Sequence, residues 1–362
     1  MIWLILGVLT DLGVKSMKLG NFFLLFYGLA FLPSIIFAQS AEPLAHGVRN
    51  DLPRPYLTQR DWGELPEGTQ AWAAVTGVEP SPDGDFIYVI HRCFENSCAN
   101  RPEQPILKFN YEGQLISAFG EGLFVFPHGA SVDHEGNLWV ADAQGNDEAG
   151  HQVIKFSSEG EVLMTLGRAG FGGGGPNLLH SPNDVVIDPT DGDIFVVDSH
   201  RRGLNNRIVH YDADGVFIKE WGGKGSQRGQ LSEPHTIAMD SKGRLFVGDR
   251  ENNRIQIFTQ DGEFVDEWHQ FGRPSGIFIT PDDRLYVADS ESGPDTGAGE
   301  LVGIMKGIRI GSAVDGSVDS FIEDSEPLRD DHSGAEGVGV DHNGNVYGAV
   351  VRRRMLERHV LN

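Results

Sequence analysis

The sequence is poor in basic residues and in aromatic residues. Its 362 residues include 29 Lys and Arg against 52 Asp and Glu, so the formal net charge is -23 at pH 7. A chain this acidic repels phosphate backbones and anionic lipid, which excludes nucleic acid as an expected partner. Aromatic residues make up 9% of the chain, whereas glycine is abundant with 47 residues. This composition favours many turns and a core that is distributed over the chain.

Cysteine is scarce as well. The two cysteines, Cys93 and Cys98, have four residues between them. A structural zinc site usually has four ligands, so a single pair of cysteines makes a poor candidate for one. In an oxidising compartment, the pair is expected to close a small disulfide loop.

One long hydrophobic run stands near the N-terminus. Lys18 precedes an apolar run over residues 22–37, and the small residues Ala38, Ser40 and Ala41 follow it. This pattern predicts a secretory signal peptide over residues 1–40, with Met17 as a second candidate start. An uncleaved membrane anchor is the alternative, because the run approaches the length that spans a bilayer. Either way, the body of the protein is expected to be secreted or periplasmic.

The stretch 233–268 has the pattern of one structural repeat. Residues 236–239 and 245–247 are short apolar runs, and residues 254–258 alternate between polar and apolar side chains. Residues 263–268 supply a fourth strand. Four short antiparallel strands that recur every 40 to 50 residues or so are typical of a propeller blade. One twisted sheet of this kind buries its faces only against neighbouring copies.

Further copies of the pattern begin near residues 71, 127, 182, 274 and 335. The last copy is one strand short, and residues 60–64 resemble the end of a blade, so they are predicted to complete it. Such pairing removes a free sheet edge. The sequence therefore predicts an all-β, six-bladed propeller over residues 58–362, preceded by a linker over residues 41–57 and closed by an N-terminal strand.

Residues at the start of each first strand should converge on the axis of such a ring. Those positions are Ala74, His128, Asn183, His235, Ser275 and Glu336. His128, His235 and Glu336 fall on alternate blades, so two imidazoles and one carboxylate are expected to meet at one point. Two histidines and a glutamate with an open fourth position form a catalytic zinc set.

The residues Pro127 to Gly129, the stretch 181–258 and the run Asp249 to Asn252 resemble a known family. It comprises the peptidyl-α-hydroxyglycine α-amidating lyases, six-bladed NHL-type propellers that release glyoxylate from hydroxyglycine-extended peptides. The resemblance implies a zinc ion held by Pro-His motifs of alternate blades, at His128 and His235, with Glu336 in place of a third histidine. It also implies that Arg92 and Arg250 are the two active-site arginines, which hold the substrate carboxylate.

The chain departs from the family pattern at two places. Where the family has a catalytic tyrosine, this chain has Asp198-Ser199-His200, so His200 is the candidate proton carrier. Where the family has a calcium-binding aspartate, this chain has Gly337, which leaves Ca²⁺ as a second cofactor to be tested beside Zn²⁺. The alternative interpretation is that Arg250 pairs with acidic turn residues and that His200 is a solvated loop residue.

These features together predict a secreted, monomeric, zinc-dependent carbon-nitrogen lyase. It is expected to act on a small molecule or peptide that carries a carboxylate, releasing glyoxylate and an amide, with no membrane contact beyond an N-terminal anchor. One alternative is a non-catalytic NHL propeller that binds a peptide, glycan or protein, since propellers host many functions. Another is a related propeller lyase or lactonase with a different substrate or metal.

Overall fold

Regular structure in the described part of the chain is almost entirely β-strand. The computed structural model describes residues 47–200, 204–293, 303–329 and 333–362. Within these ranges, 24 strands form six antiparallel sheets of four strands each. Helical structure there is limited to short 3-10 turns such as Arg250–Asn252. The predicted signal peptide, residues 1–40, lies outside the described residues.

Each of the first five blades is built from four consecutive strands. The first blade contains β2 (Val75–Pro80), β3 (Ile87–His91), β4 (Ile106–Phe109) and β5 (Leu115–Phe119), and the second contains β6 (Pro127–Val132), β7 (Leu138–Asp142), β8 (Gln152–Phe156) and β9 (Val162–Gly167). The third contains β10 (Pro182–Ile187), β11 (Ile194–Asp198), β12 (Arg207–Tyr211) and β13 (Phe217–Gly222), and the fourth contains β14 (Pro234–Met239), β15 (Leu245–Asp249), β16 (Arg254–Phe258) and β17 (Phe264–Trp268). The fifth contains β18 (Gly276–Ile279), β19 (Arg284–Asp289), β20 (Gly307–Ser312) and β21 (Val318–Glu323).

The sixth blade combines the two ends of the described chain. Its strands are β22 (Ala335–Val340), β23 (Val346–Val350), β24 (Met355–Leu361) and, outermost, the N-terminal strand β1 (Tyr56–Arg60). Tyr56 pairs with Leu361 and Arg60 pairs with Glu357. The strand therefore lies four residues before the predicted stretch 60–64. Asp61 has a φ of 53°, which ends the extended conformation directly after Arg60.

The first strands of the blades form a closed ring. β2, β6, β10, β14, β18 and β22 contact one another in this order, and β22 also contacts β2. The predicted six-bladed propeller is confirmed. The axis of the ring is the channel on which the first strands converge, so residues at the start of these strands lie close together.

The hydrophobic core lies between neighbouring blades. Ile90 of the first blade packs in one cluster with Val140 of the second, and Val89 of the first blade packs with Tyr347 of the sixth. Similar clusters occupy the other four junctions. Burial of apolar area thus holds each blade to its neighbours, which is why a single repeat has no stable core of its own.

The tight turns between the first and second strands of the second, fourth and sixth blades follow an Asp-x-x-Gly pattern. In the second blade, one oxygen of Asp133 accepts hydrogen bonds from the backbone N–H groups of Glu135 at 3.0 Å and Asn137 at 2.9 Å. Gly136 has a φ of 84°, which glycine adopts without steric cost. The other oxygen of Asp133 accepts from Trp139 Nε1 at 3.0 Å. The aspartate therefore links the turn to the core beneath it.

The stretch predicted as a linker, residues 41–57, is partly built into the propeller. Val48 is buried against Ile304. The Asn50 side chain donates to the Gly303 carbonyl at 2.9 Å and accepts from the Met305 N–H at 3.0 Å. The propeller therefore begins before residue 58. Within the residues described, no helix has the length and apolar character that a bilayer crossing requires.

The predicted disulfide bond is confirmed. Cys93 and Cys98 are covalently linked, and both side chains are buried in the cluster between the first and second blades. The bond closes the loop that follows β3. Because Arg92 lies at the entrance of this loop, the bond fixes the backbone next to a candidate site residue.

Candidate metal centre

β-Bulges place the three predicted ligands at the channel axis. The hydrogen-bond register shifts at His128 in β6, at His235 in β14 and at Glu336 in β22. A bulge leaves the extra residue out of the ladder and re-aims its side chain. The same shift occurs at Thr76 in β2 and at Asn183 in β10, so bulges aim the axial residue in five blades, three of which carry the two imidazoles and the carboxylate.

Backbone carbonyls fix the orientation of both imidazoles. His128 Nδ1 donates to the Asn183 carbonyl at 3.1 Å, and His235 Nδ1 donates to the Ser275 carbonyl at 2.7 Å. A carbonyl oxygen only accepts, so Nδ1 carries a hydrogen in each ring, and Nε2 is the nitrogen that has the lone pair in the neutral tautomer. Among the described residues, both Nε2 atoms are buried without a hydrogen-bond partner. This is the arrangement in which metal-binding histidines are held by their surroundings.

The distances between the donor atoms fit a single metal ion. Glu336 Oε1 lies 3.5 Å from His128 Nε2 and 3.3 Å from His235 Nε2. Ligand atoms about 2.1 Å from a tetrahedral zinc ion are roughly 3.4 Å apart. Burial lowers the pKa of His128 to about 4, so this imidazole is neutral at neutral pH and has no Nε2 proton to give Glu336. Three electron-pair donors that face one another in a buried site fit a cation between them.

His200 belongs to the same cluster. Its ring centroid lies 4.6 Å from that of His128 and 5.6 Å from that of His235. A ligand atom of His200 lies within 4.8 Å of those of His128, His235 and Glu336. Burial lowers the pKa of His200 well below its usual range, with further lowering by the two other histidines. The side chain is buried, so the alternative of a solvated loop residue is wrong.

Arg92 approaches the cluster from the first blade. Its Nε donates to the Pro127 carbonyl at 3.3 Å, and its Nη1 donates to Asn96 Oδ1 at 2.9 Å. The guanidinium carbon lies 3.5 Å from the centre of the Phe126 ring, a cation-π geometry. The positive charge of Arg92 contributes to the lowered pKa of His128. Arg92 is therefore buried beside the cluster, in a fixed orientation.

Arg250 approaches from the fourth blade, opposite the first in the ring of six. Its Nη2 lies 3.5 Å from Glu233 Oε2, and its Nη1 lies 3.8 Å from Glu291 Oε2. The predicted alternative, pairing with acidic residues, is therefore present in the structure. Both contacts are longer than the 2.7 to 2.9 Å or so of a charge-assisted hydrogen bond.

Sequence reasoning missed Glu233, Glu291 and Arg273 as neighbours of the site. Arg273 lies 3.3 Å from Glu291, and its Nη1 is 3.4 Å from the Arg250 carbonyl oxygen. Glu291 follows Asp289 by two residues, as His200 follows Asp198. This shared position, two residues after the end of a second strand, could have identified Glu291 from the sequence. The loops that surround the cluster begin at the ends of the second strands.

Carboxylates at these strand ends hold the loops that lead into the histidines. Asp142 accepts from the N–H groups of Val125 at 2.8 Å and Phe126 at 2.5 Å. Asp249 accepts from Ser232 N–H at 2.7 Å. The last residue of a second strand thereby fixes the approach to the first strand of the same blade, and with it the ligand position.

The channel beside the cluster encloses a cavity of about 980 Å³. Its wall is formed by the first strands and includes His128, His235 and Glu336. The innermost backbones approach closely, since a Cβ atom at Gly337 would lie 2.4 Å from the Thr76 carbonyl oxygen. Position 337 therefore has no room for the calcium-binding aspartate of the family in this backbone.

Comparison with known proteins supports the family resemblance. Residues 231–258 match the NHL repeat family. The chain is 34% identical over 194 residues to peptidyl-glycine alpha-amidating monooxygenase B of Xenopus laevis, covering 49% of this chain and 21% of that protein. It is 30% identical over 167 residues to a probable peptidyl-alpha-hydroxyglycine alpha-amidating lyase of Caenorhabditis elegans, covering 45% of each chain. The resemblance to the amidating lyases is confirmed. The chain spans less than half the length of these two relatives.

A solved structure shows the same fold. A gluconolactonase of Xanthomonas campestris superposes with a TM-score of 0.58 at 15% sequence identity, covering 87% of this chain and 96% of that one. The chain is thus similar to propeller proteins named for amidating activity, and its own cluster of three histidines and a glutamate could hold a metal. The disulfide bond and these relatives favour an extracellular or lumenal protein.

Proposed function

We propose that the protein is a secreted zinc-dependent lyase that cleaves the carbon-nitrogen bond of a peptidyl α-hydroxyglycine, releasing glyoxylate and an amide. The observation that carries the proposal is that Glu336 Oε1 lies 3.5 Å from His128 Nε2 and 3.3 Å from His235 Nε2, with all ligand atoms of the cluster within 4.8 Å of one another. Relatives named for the same chemistry support it.

His128, His235 and Glu336 would hold the zinc ion. When bound, zinc supplies Lewis acidity, which lowers the pKa of a hydroxyl group at the open coordination position. A glutamate ligand makes the zinc site less positive than three neutral histidines would. The surrounding residues would therefore contribute more to stabilising the negative charge on the substrate oxygen.

Arg250 is the better placed of the two arginines to hold the substrate carboxylate. Its guanidinium already contacts the carboxylates of Glu233 and Glu291, so it faces groups of the same kind as the substrate carboxylate. Arg92 contacts a carbonyl and an amide oxygen, so it suits the peptide carbonyl of the substrate. Guanidinium groups on two opposite blades would orient the substrate across the cluster.

His200 is the candidate proton carrier. Burial keeps its imidazole neutral, and its Nδ1 is buried without a hydrogen-bond partner among the described residues. In the reaction, the hydroxyl proton leaves, the oxygen forms the C=O bond of glyoxylate, and the C–N bond breaks. His200 would take that proton and return it to the departing amide nitrogen, so no other reactant is consumed.

The test is a glyoxylate-release assay on an N-acyl-α-hydroxyglycine with the purified protein. We expect release that stops after chelation and returns with added zinc. Release that is unaffected by chelation would contradict the metal role. A protein that retains no metal and releases no glyoxylate would instead favour the non-catalytic binding propeller.

A further inference from the structure

Glu291 belongs to a partly buried ion-pair network with Arg250 of the fourth blade and Arg273, which precedes the first strand of the fifth. It lies 3.8 Å from Arg250 Nη1 and 3.3 Å from Arg273 Nη2. Arg273 is also paired with Glu251 at 2.5 Å, and Arg250 with Glu233 at 3.5 Å. Two guanidinium groups therefore face three carboxylates, so the network has a net negative charge.

Arg250 is held loosely in comparison with a structural arginine of the same blade. Arg254 bonds Asp249 at 2.8 Å and Glu267 at 2.7 Å. Arg250 has no carboxylate that close, and its Nε is buried without a hydrogen-bond partner among the described residues. An arginine with these contacts can exchange its carboxylate partners at low cost, because no charge-assisted hydrogen bond has to break.

Glu291 interacts electrostatically with Glu336 and His235 of the metal cluster as well as with the two arginines. Burial raises the pKa of Glu291, but the positive charges of Arg250 and Arg273 lower it by more. The pKa therefore lies below its ordinary value, and the carboxylate stays charged. Glu336 and His235 are also close enough to influence it. An anionic ligand that reaches Arg250 from the cluster therefore meets the charge of Glu291.

We propose that Glu291 is a specificity-determining residue that competes with the substrate carboxylate for Arg250 and keeps only its contact with Arg273 when the substrate binds. This inference rests on the proposed function of Arg250. A substrate carboxylate that binds the guanidinium through two short hydrogen bonds replaces the 3.8 Å contact, whereas a weaker anion does not. Glu291 thereby selects N-acylglycine-type carboxylates over simple anions.

The test measures binding of N-acetylglycine by isothermal titration calorimetry. Glu291→Gln should bind N-acetylglycine about fivefold or more tightly than the unaltered protein, because a competing charge is removed. Binding of the neutral analogue N-acetylglycinamide should not change. Glu267→Gln is the matched control, since it removes a carboxylate from Arg254 at the outer part of the same blade. Melting curves of both variants establish that they are folded.

The outcomes separate this inference from the proposed function. Equal or weaker binding of N-acetylglycine by Glu291→Gln overturns the competition, including the case in which neither protein binds it. If Arg250→Ala binds N-acetylglycine as well as the unaltered protein does, the proposed role of Arg250 is wrong. Tighter binding by Glu291→Gln together with loss of binding by Arg250→Ala supports both.

Discussion

His235 donates a hydrogen bond from Nδ1 to the carbonyl oxygen of Ser275 at 2.7 Å, across the junction between the fourth and fifth blades. His128 is held in the same way by Asn183 of the third blade. Each of the two histidine ligands is therefore oriented by the next blade along the chain. The cluster depends on the assembled ring, and local structure within one blade is not enough to form it.

A variant of His200 separates metal binding from proton transfer in the cluster. We predict that His200→Ala retains zinc through the other three side chains and releases glyoxylate roughly 100-fold or more slowly, as expected for loss of a proton carrier. Metal analysis after dialysis and the glyoxylate assay measure the two effects separately. Loss of zinc from this variant would show that His200 is a ligand and that the division of roles is wrong.

Gly129 permits the close approach of the second and third blades beside His128. A Cβ atom there would lie 2.4 Å from Asp184 Oδ1. Gly129→Ala should therefore lower the free energy of unfolding by about 1 to 3 kcal/mol through overpacking and weaken zinc binding. Gly174→Ala is the control, because its Cβ would meet its nearest neighbour at 3.5 Å. Equal stability of the two variants in urea would contradict this account.

The N-terminal strand β1 is predicted to stabilise the sixth blade. Removing residues up to Arg60 takes away the partner of β24 and exposes its edge. We expect the midpoint of thermal unfolding to fall by at least about 5 °C. Calorimetry of the truncated and full chains measures it, and an unchanged midpoint would mean that β1 adds nothing to stability.

His359 should make stability depend on pH. Burial lowers the pKa of His359 to about 4, whereas an unfolded histidine binds a proton near pH 6.5. The stability that this neutral side chain contributes is complete above about pH 6.5 and is lost as the pH falls toward 4. The drop in melting temperature between pH 7 and pH 5 should therefore be smaller in His359→Gln.

The exposed His134 supplies the control for that measurement. His134→Gln should keep the pH dependence of the unaltered protein. If His359→Gln and His134→Gln have the same dependence on pH, protonation of His359 does not limit stability. His359 Nδ1 also contacts Thr58 Oγ1 of β1 at 2.9 Å, so the comparison is made between pH values within each variant.

Repeating motifs made much of the fold predictable. The Pro-His pairs at residues 127–128 and 234–235 share one register, and that register also pointed to Glu336. The bulges that aim these side chains were not predictable, since they are defined by pairing with the second strand. The contacts of Glu291 with Arg250 and Arg273 depend on packing between blades, so sequence spacing alone could not identify them.

The position of the closing strand was predicted four residues too late for a physical reason. The pair Trp62-Gly63 resembles the pair Trp221-Gly222 that ends β13, where Trp221 belongs to the strand. Here Trp62 follows the strand and packs against Phe109 and Tyr347 between the sixth and first blades. The same short motif thus has a core role in one blade and a strand role in another.

The metal content of the purified protein and of its ligand variants tests whether the cluster binds zinc. We expect about one zinc ion per chain in the unaltered protein, held by two histidines and a glutamate. We expect loss of that zinc, together with glyoxylate release, in His128→Ala and in His235→Ala. Undiminished zinc in both folded variants would contradict the account.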